Sequence, residues 1–355
     1  MSTADTPQPD WRGLALDPPR AVEPVAGRAR LRASPEDFAV DEELGFAAAG
    51  EGAHFLLRVR KRGANTGWVA RELARHAGVR PFDVGYAGMK DRNAVTTQWF
   101  SVPRARRSGD EWLAASGEGW QVLEAHAHTR KLPRGALAGN RFRIVLREFV
   151  GDRAALETRL ARIVHEGVPN YFGPQRFGRE LSNLAIMEGR APPRGEESFA
   201  WSAARSLVFN AVLARRIHDG SWNRLSVGER ANLDGRNSTF VVEHLDSEIE
   251  QRLATFDIHP TGPLIGNGDR GVEGPLADLE RAVAAEFPAL VDSLQTAGLE
   301  AARRPLRVAV RELEWQWLAD DACVLQFRLR AGSFATAVVR ELVALDDAAA
   351  HEEQG

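Results

Sequence analysis

Hydrophobic and polar positions alternate through much of the N-terminal half of the chain, with the two-residue period of a β-strand. From His54 to Arg60, Phe55, Leu57 and Val59 share one face, while Leu56, Arg58 and Arg60 share the other. Arg30 to Phe46 reads as a strand, a turn at Ser34-Pro35 and a second strand carrying Phe38 and Val40. Trp120 to His126 and Asn140 to Arg147 give two more strands. In the second of these, Phe142, Ile144 and Leu146 face one way and Arg141, Arg143, Val145 and Arg147 the other, which predicts a sheet with a core face and a cationic face. Two segments have helical spacing instead. Thr66, as an N-cap, opens a helix through His76 that Gly78 ends, and Asp152 caps an amphipathic helix to Glu166 with Leu156, Leu160, Ile163 and Val164 inward.

Around Gly167 the pattern changes. Helical periodicity dominates at Ala200 to Ile217, Ser247 to Thr255 and Leu276 to Leu294, separated by Gly- and Pro-rich joints, with strand signal confined to Ser238 to Val242. Strand patterns return at Leu306 to Leu318 and Ala322 to Arg330, before a final helix from Ser333, its N-cap, to Leu345. The returning strands resemble the early ones in type, so they are expected to rejoin the first sheet and leave the helical region as an insertion.

Composition sets the outer bounds. A length of 355 residues suggests two domains, and 44% apolar with 27% charged residues is ordinary for a folded protein. No apolar run approaches the roughly 18 residues of a membrane span. Residues 1–28 are polar and proline-rich and read as a flexible leader without the features of a signal peptide, so a cytoplasmic location is expected. The single cysteine, Cys323, excludes an intrachain disulfide and a cysteine-based zinc site, and its ACVLQF setting suits a buried strand.

The net charge of −3 conceals a strong segregation. His54 to Arg147 carries 18 Lys and Arg against 7 Asp and Glu, a net of +11, which leaves −14 for the remainder. Within that window, His126 to Arg147 has six basic residues and no acid. Such clustering is the electrostatic footprint of a polyanionic partner.

Candidate chemistry centres on Gly85 to Gln98, GYAGMKDRNAVTTQ, read as a strand, a tight loop and a second strand. The loop presents Asp91 inside the basic window. Ala87 and Gly88 leave room for a bulky ligand, and Lys90 and Arg92 are the neighbours that favour an ionised carboxylate. A lone Asp in a turn can equally serve the turn itself. His126 and His128 form an HxH on one strand face, but no further ligand cluster accompanies them. Gly262 to Gly274 is glycine-rich yet lacks the order of a phosphate loop, and reads as a flexible connection. Asn170 to Arg179, NYFGPQRFGR, interleaves three aromatics with Arg176 and Arg179, which suits either base stacking or a packed domain junction.

Taken together, these segments resemble the TruD family of tRNA pseudouridine synthases. The matching runs are SPEDFAVDEELGF, GYAGMKDRNAVTTQWFSV, KLPRGALAGNRFRIVLRE, VPNYFGPQRFGR and AGSFATAVVREL, in family order and spanning most of the chain from Arg32 onward. The resemblance implies an α+β fold: a pseudouridine synthase catalytic domain on a mainly antiparallel mixed sheet, residues 29–166 and 306–355, interrupted by an inserted TRUD domain, residues 167–305. It implies isomerisation of uridine-13 in the D arm of tRNA to pseudouridine, with no cofactor, no metal and no obligatory protein partner. By motif position Asp91 corresponds to the catalytic aspartate. Phe38, Asn140 and Phe334 fall where the family contacts the target nucleotide, Phe142 where an aromatic stacks on uracil, and Arg32 where relatives commonly have a lysine that pairs with the aspartate. Arg141, Arg143, Lys131 and Arg176 are the expected RNA-binding cations.

Two other classes compete. An RNA-binding or RNA-folding protein without chemistry would use the same basic sheet, but gains nothing from a carboxylate among phosphates. A nucleoside or glycoside hydrolase needs paired carboxylates, for which Glu36 and Asp37 are the nearby candidates, and a structural turn accounts for those as well.

Overall fold

The computed structural model describes residues 9–104, 107–191, 194–268 and 271–347. The expected leader's first eight residues, the last eight of the chain and part of the Gly262–Gly274 run lie outside the described residues. The chain forms two compact units, one of Met1–Pro24 with His165–Ala309, the other of Val25–Val164 with Val310–Gly355.

The second unit is built on an eleven-stranded sheet among the described residues. Its strands are β1 (Gly27–Leu31), β2 (Phe38–Glu43), β3 (His54–Arg62), β4 (Gly85–Tyr86), β5 (Val95–Pro103), β6 (Ser116–Gly117), β7 (Trp120–His128), β8 (Gly139–Gly151), β9 (Arg311–Ala319), β10 (Ala322–Arg330) and β11 (Ala344–Asp347). The main order is β9-β10-β8-β2-β5-β3-β7-β6, with β1 joining β8 to β11 and β4 lying on β5. Only β2–β5 and β1–β11 run parallel, so the sheet is mixed and mostly antiparallel. The strands after the helical region do rejoin it, because β10 pairs along most of β8, from Cys323 opposite Leu146 to Arg330 opposite Gly139.

Several local expectations need correction. Thr66 is the first residue of the Thr66–Ala77 helix rather than its cap, a place taken by Asn65 with extended backbone. The Thr66 side chain is buried, and its hydroxyl is committed to Lys90 N and Gln98 instead. Gly78 closes that helix in the left-handed region, at φ 68°, where a residue without Cβ carries least strain. Val164 is exposed, not inward. The last helix spans only Ala335–Arg340 with Phe334 at its N-cap position, and the chain then extends into β11.

In the first unit, the helix Glu197–His218 is buried almost all round, with Ala203, Leu207, Val208, Phe209, Val212 and Leu213 in the core. A four-stranded antiparallel sheet, Thr239–Val241, Arg230–Leu233, Ile258–Leu264 and Ala302–Pro305 in that order, lies in the same unit, which is therefore less purely helical than its sequence pattern suggests. Pro260 and Pro263 obscure the central strand, since proline usually argues against an interior strand.

The leader also differs from expectation. Residues 11–16 form a helix whose Trp11 and Ala15 are buried in the core of this unit, and Asn210 Nδ2 donates to the Leu14 carbonyl at 3.1 Å. Asp10 caps it by accepting from Gly13 N at 2.9 Å. Trp11, Leu14 and Ala15 recur at helical spacing, a signal too short to stand out beside the flanking prolines.

Candidate active site

The site is assembled on one face of the large sheet. Cα partners across five strands form a row, Lys61 beside Thr96, Thr96 beside Val40, Val40 beside Phe142, and Phe142 beside Phe327. Paired residues project to the same side of a sheet, so these side chains share a face. Asn140 shares it too, two residues along β8 from Phe142 and opposite Glu42 and Leu329. The aromatic rings interlock, with Phe38 edge-on to Phe142 at 6.3 Å between centroids and Phe142 stacked on Phe327 at 5.4 Å. Phe38 and Phe142 are 3% and 6% exposed and form a floor.

Over this floor sits Asp91. Its Oδ2 accepts from Arg32 Nη2 at 3.1 Å, and the Arg32 guanidinium lies 4.2 Å from the centroid of the Phe38 ring. One arginine thus joins carboxylate to floor, with a planar head that an ammonium lacks. Arg32 has φ 57°, a left-handed conformation that costs a residue with a side chain on the order of 1 kcal/mol or more. That turn follows directly on β1. The Asp91 side chain remains half exposed, whereas that of Arg32 is mostly covered.

The loop bearing Asp91 is held mainly through its backbone. Lys61 is buried at the end of β3, and its Nζ donates to the carbonyls of Ala64 at 2.8 Å, Asp91 at 2.9 Å and Lys90 at 3.4 Å. Burial pushes the Lys61 ammonium down to about 8; the Asp91 carboxylate opposes this and Lys90 adds to it. Thr66 Oγ1 accepts from Lys90 N at 3.0 Å and donates to Gln98 Oε1 at 2.8 Å, while Gln98 Nε2 donates to the Gly88 carbonyl at 3.0 Å. The Lys90 ammonium pairs with the buried Glu42 carboxylate at 2.6 Å, and Glu42 also accepts from Trp99 N at 3.2 Å. Lys90 and Arg92, expected from sequence to favour the ionised carboxylate, direct their hydrogen bonds elsewhere. Lys90 turns to Glu42, and Arg92 Nε points to the Gly63 carbonyl at 3.4 Å.

Lys61, Gln98 and Glu42 were not singled out from sequence, and Thr66 only as a helix cap, although a signal was present for Lys61 and Glu42. Lys61 falls in phase with Phe55, Leu57 and Val59, and Glu42 with Phe38 and Val40, so each is a charged residue on the core face of its strand.

Asn140 is 8% exposed and its Oδ1 has no protein hydrogen-bond partner. A buried acceptor left unmet in this way costs about 1–3 kcal/mol. Phe334 is 55% exposed and lies just beyond the end of β10, where Arg330 pairs with Gly139.

The remaining predicted residues are elsewhere. Arg141 and Arg143 project to the opposite face of β8 from Asn140 and Phe142, as strand alternation requires. That face is not simply cationic, because Arg141 meets Glu312 at 2.7 Å and Glu43 at 3.7 Å, and Arg58 meets Glu124 and Asp41 at 2.5 and 2.6 Å. Lys131 donates to the Phe82 carbonyl on the segment after β7. Arg176 belongs to the other unit, where it donates to Ser202 Oγ at 3.1 Å and lies over the Phe172 ring. Tyr171, Phe172 and Phe177 are buried in that unit's core, so the aromatics of NYFGPQRFGR pack rather than offer a stacking surface. Cys323 is buried on β10, its thiol pushed up to about 11 by burial.

Glu36 and Asp37 are both engaged. Glu36 meets Arg62 at 2.5 Å, which holds its carboxyl below the usual range, and Asp37 takes Arg147 at 2.7–2.9 Å together with Ser34. His126 meets Glu124 and His128 stacks on Phe46. Among the described residues no group of three or more His, Cys, Asp or Glu side chains is placed to hold a metal ion.

One face of the sheet thus brings together an arginine-clamped carboxylate, a buried aromatic floor and a buried amide oxygen without a protein partner. The chain belongs to the TruD family: the model for tRNA pseudouridine synthase D matches residues 23–188 and 197–342. It is 48% identical over 347 residues to tRNA pseudouridine synthase D of Methylococcus capsulatus, covering 96% of this chain and 98% of that one. Identity to the protein of the same name from Nitrosococcus oceani is 46% over 340 residues, covering 94% and 93% of the two chains. The fold is similar to a crystal structure of a Methanosarcina mazei protein assigned as a tRNA pseudouridine synthase D, with a TM-score of 0.74 at 21% identity, covering 93% of this chain and 97% of that one.

Proposed function

We propose that this protein isomerises uridine to pseudouridine in tRNA, at position 13 of the D arm, with Asp91 as its one catalytic carboxylate. The observation that carries the reading is the Arg32-clamped Asp91 carboxylate over the Phe38–Phe142 floor, in a chain 48% identical to a named tRNA pseudouridine synthase D.

The reaction breaks the N1–C1′ bond, turns the freed base and joins C5 to C1′, with the C5 proton lost and a proton gained at N1. The target uridine must leave its stack to reach Asp91. Phe334 supplies an exposed ring for it and the Phe142 floor supports the site from below. Asn140 Oδ1 accepts from the imide N–H of uracil, which gives that buried oxygen the partner it lacks. Asp91 then acts either as nucleophile at C1′ or as the base that withdraws the 2′ proton. Arg32 and the Lys61-anchored backbone fix where the carboxylate stands in both routes.

In Asp91→Asn, release of label from 5-tritiated uridine in tRNA is expected to stop while tRNA binding persists. Retained turnover in that variant contradicts the assignment. A binding protein without chemistry predicts no label release from the unaltered chain either. A hydrolase predicts free uracil, and the engagement of Glu36 and Asp37 with arginines speaks against its second carboxylate.

A further inference from the structure

The sequence expectation placed the RNA grip on Arg141, Arg143, Lys131 and Arg176; of these, Arg141 is already paired with Glu312 and Arg176 belongs to the other unit. The segment after β7, residues 129–138, has a different character. It carries Arg130, Lys131 and Arg134 with no acid, and exposed aromatic rings lie along it. Lys131 Nζ sits 4.4 Å from the centroid of Phe82, a side chain 80% exposed. The Arg134 guanidinium lies 3.9 Å from the Tyr86 ring. His128 stacks on Phe46 at 5.5 Å and 27° between planes, and Phe46 is 41% exposed.

Phe46, His128, Arg130 and Lys131, with Gly45 and Leu137 among others, line a hollow of about 280 Å³. Ala49 N donates to His128 Nδ1 at 3.2 Å, so the ring proton is on Nε2, and burial with Arg130 and His54 nearby holds this histidine below its ordinary range. His128 is itself buried and backs the exposed Phe46 ring.

The strip is tied to the catalytic loop. Gly135 N donates to the Ala87 carbonyl at 2.7 Å, four residues before Asp91, and Ala138 N donates to the Glu43 carbonyl at 2.9 Å just before the chain reaches Asn140. These hydrogen bonds join the strip to the segments that carry Asp91 and Asn140, while its His128 and Leu132 lie on the Leu56 face of the sheet. Exposed rings interleaved with cations favour unpaired nucleotides, whose faces are open to stacking, over a duplex, which offers mainly phosphates.

We propose that the strip formed by Phe46, His128, Arg130, Lys131 and Phe82 binds unpaired nucleotides of the substrate RNA, stacking bases on the two exposed phenylalanines and holding phosphates with the cations. This rests on the RNA-modifying function proposed for Asp91. The test is fluorescence anisotropy of the full chain with a labelled single-stranded RNA and a duplex of equal length, alongside label release from 5-tritiated tRNA. Because Phe46 and Phe82 are exposed, the double variant Phe46→Ala/Phe82→Ala is expected to fold.

The variant is expected to weaken single-strand binding by about 5- to 150-fold per stacked base, lose the preference over duplex, and raise KM for tRNA with kcat unchanged. Arg130→Gln should instead flatten the salt dependence by about 0.7 in slope, the share of one phosphate on a single strand. Unchanged affinity and KM in the aromatic variant, or tighter binding of duplex by the unaltered chain, overturns the strip. If the unaltered chain releases no label while the aromatic variant still loses single-strand binding, the strip stands and the catalytic reading fails.

Discussion

Replacing Lys61 by methionine separates the anchoring of the Asp91 loop from the stability of the fold. The ammonium is buried and its proton affinity is lowered from the ordinary 10.5 to about 8. Its folded pKa lies below the unfolded one, so below pH 8 the charged group imposes a penalty on folding, worth about 3 kcal/mol at about 1.4 kcal/mol per unit. Between pH 8 and 10.5 the unfolded chain binds the extra proton, so the penalty fades as pH rises. Methionine removes it but leaves the carbonyls of Ala64 and Asp91 without their donor, at about 1–3 kcal/mol each.

At pH 7 these opposing effects leave Lys61→Met within about 3 kcal/mol of the unaltered protein, as buried-charge replacements often are. With the charged group gone, the comparison becomes pH-dependent. From pH 7 to 10 the unaltered chain should gain about 2–3 kcal/mol relative to the variant in urea unfolding. In the same variant kcat for label release should fall by about 10-fold or more, because the Asp91 backbone loses its tether while KM for tRNA changes little. A stability difference that stays flat over this pH range, or full kcat in a folded variant, refutes the reasoning.

Other expectations follow from the same geometry. Arg32→Ala should lower kcat by about 10- to 100-fold, since it frees the carboxylate and uncovers Phe38, and Arg32→Lys should recover part of that loss in label-release assays. Glu42→Ala leaves the Lys90 ammonium without its carboxylate in a largely buried setting and should cost about 3–5 kcal/mol in denaturant unfolding. Arg141→Gln should leave the salt dependence of RNA binding nearly unchanged, because that guanidinium is already paired with Glu312 and Glu43. A fall of about one unit of slope there would show that Arg141 contacts RNA in spite of that pairing.

The sheet was legible in the sequence because strand alternation is local. Phe55, Leu57 and Val59, or Phe142, Ile144 and Leu146, announce a buried face without reference to the rest of the chain. The same alternation already separated Arg141 and Arg143 from Phe142, yet which face would carry the site depended on where the Asp91 loop docked, a long-range matter. Asp91, Arg32, Phe38, Asn140 and Phe142 do come together around one place. Lys61 and Glu42 escaped notice because a charge on a strand's apolar face looks like an end effect until the partner that satisfies it is known. The strand Ile258–Leu264 was hidden by its two prolines, and the Trp11–Leu16 helix by its brevity. The aromatics of NYFGPQRFGR have the composition of an RNA surface, and only their burial in the first unit's core distinguishes the two uses.

The central claim is tested most directly by incubating the purified full-length chain with an unmodified tRNA transcript and mapping pseudouridine along it. The account predicts pseudouridine at position 13, no free uracil in the supernatant, and neither product nor label release with Asp91→Asn. Free uracil, or pseudouridine formed at full rate by Asp91→Asn, would contradict it.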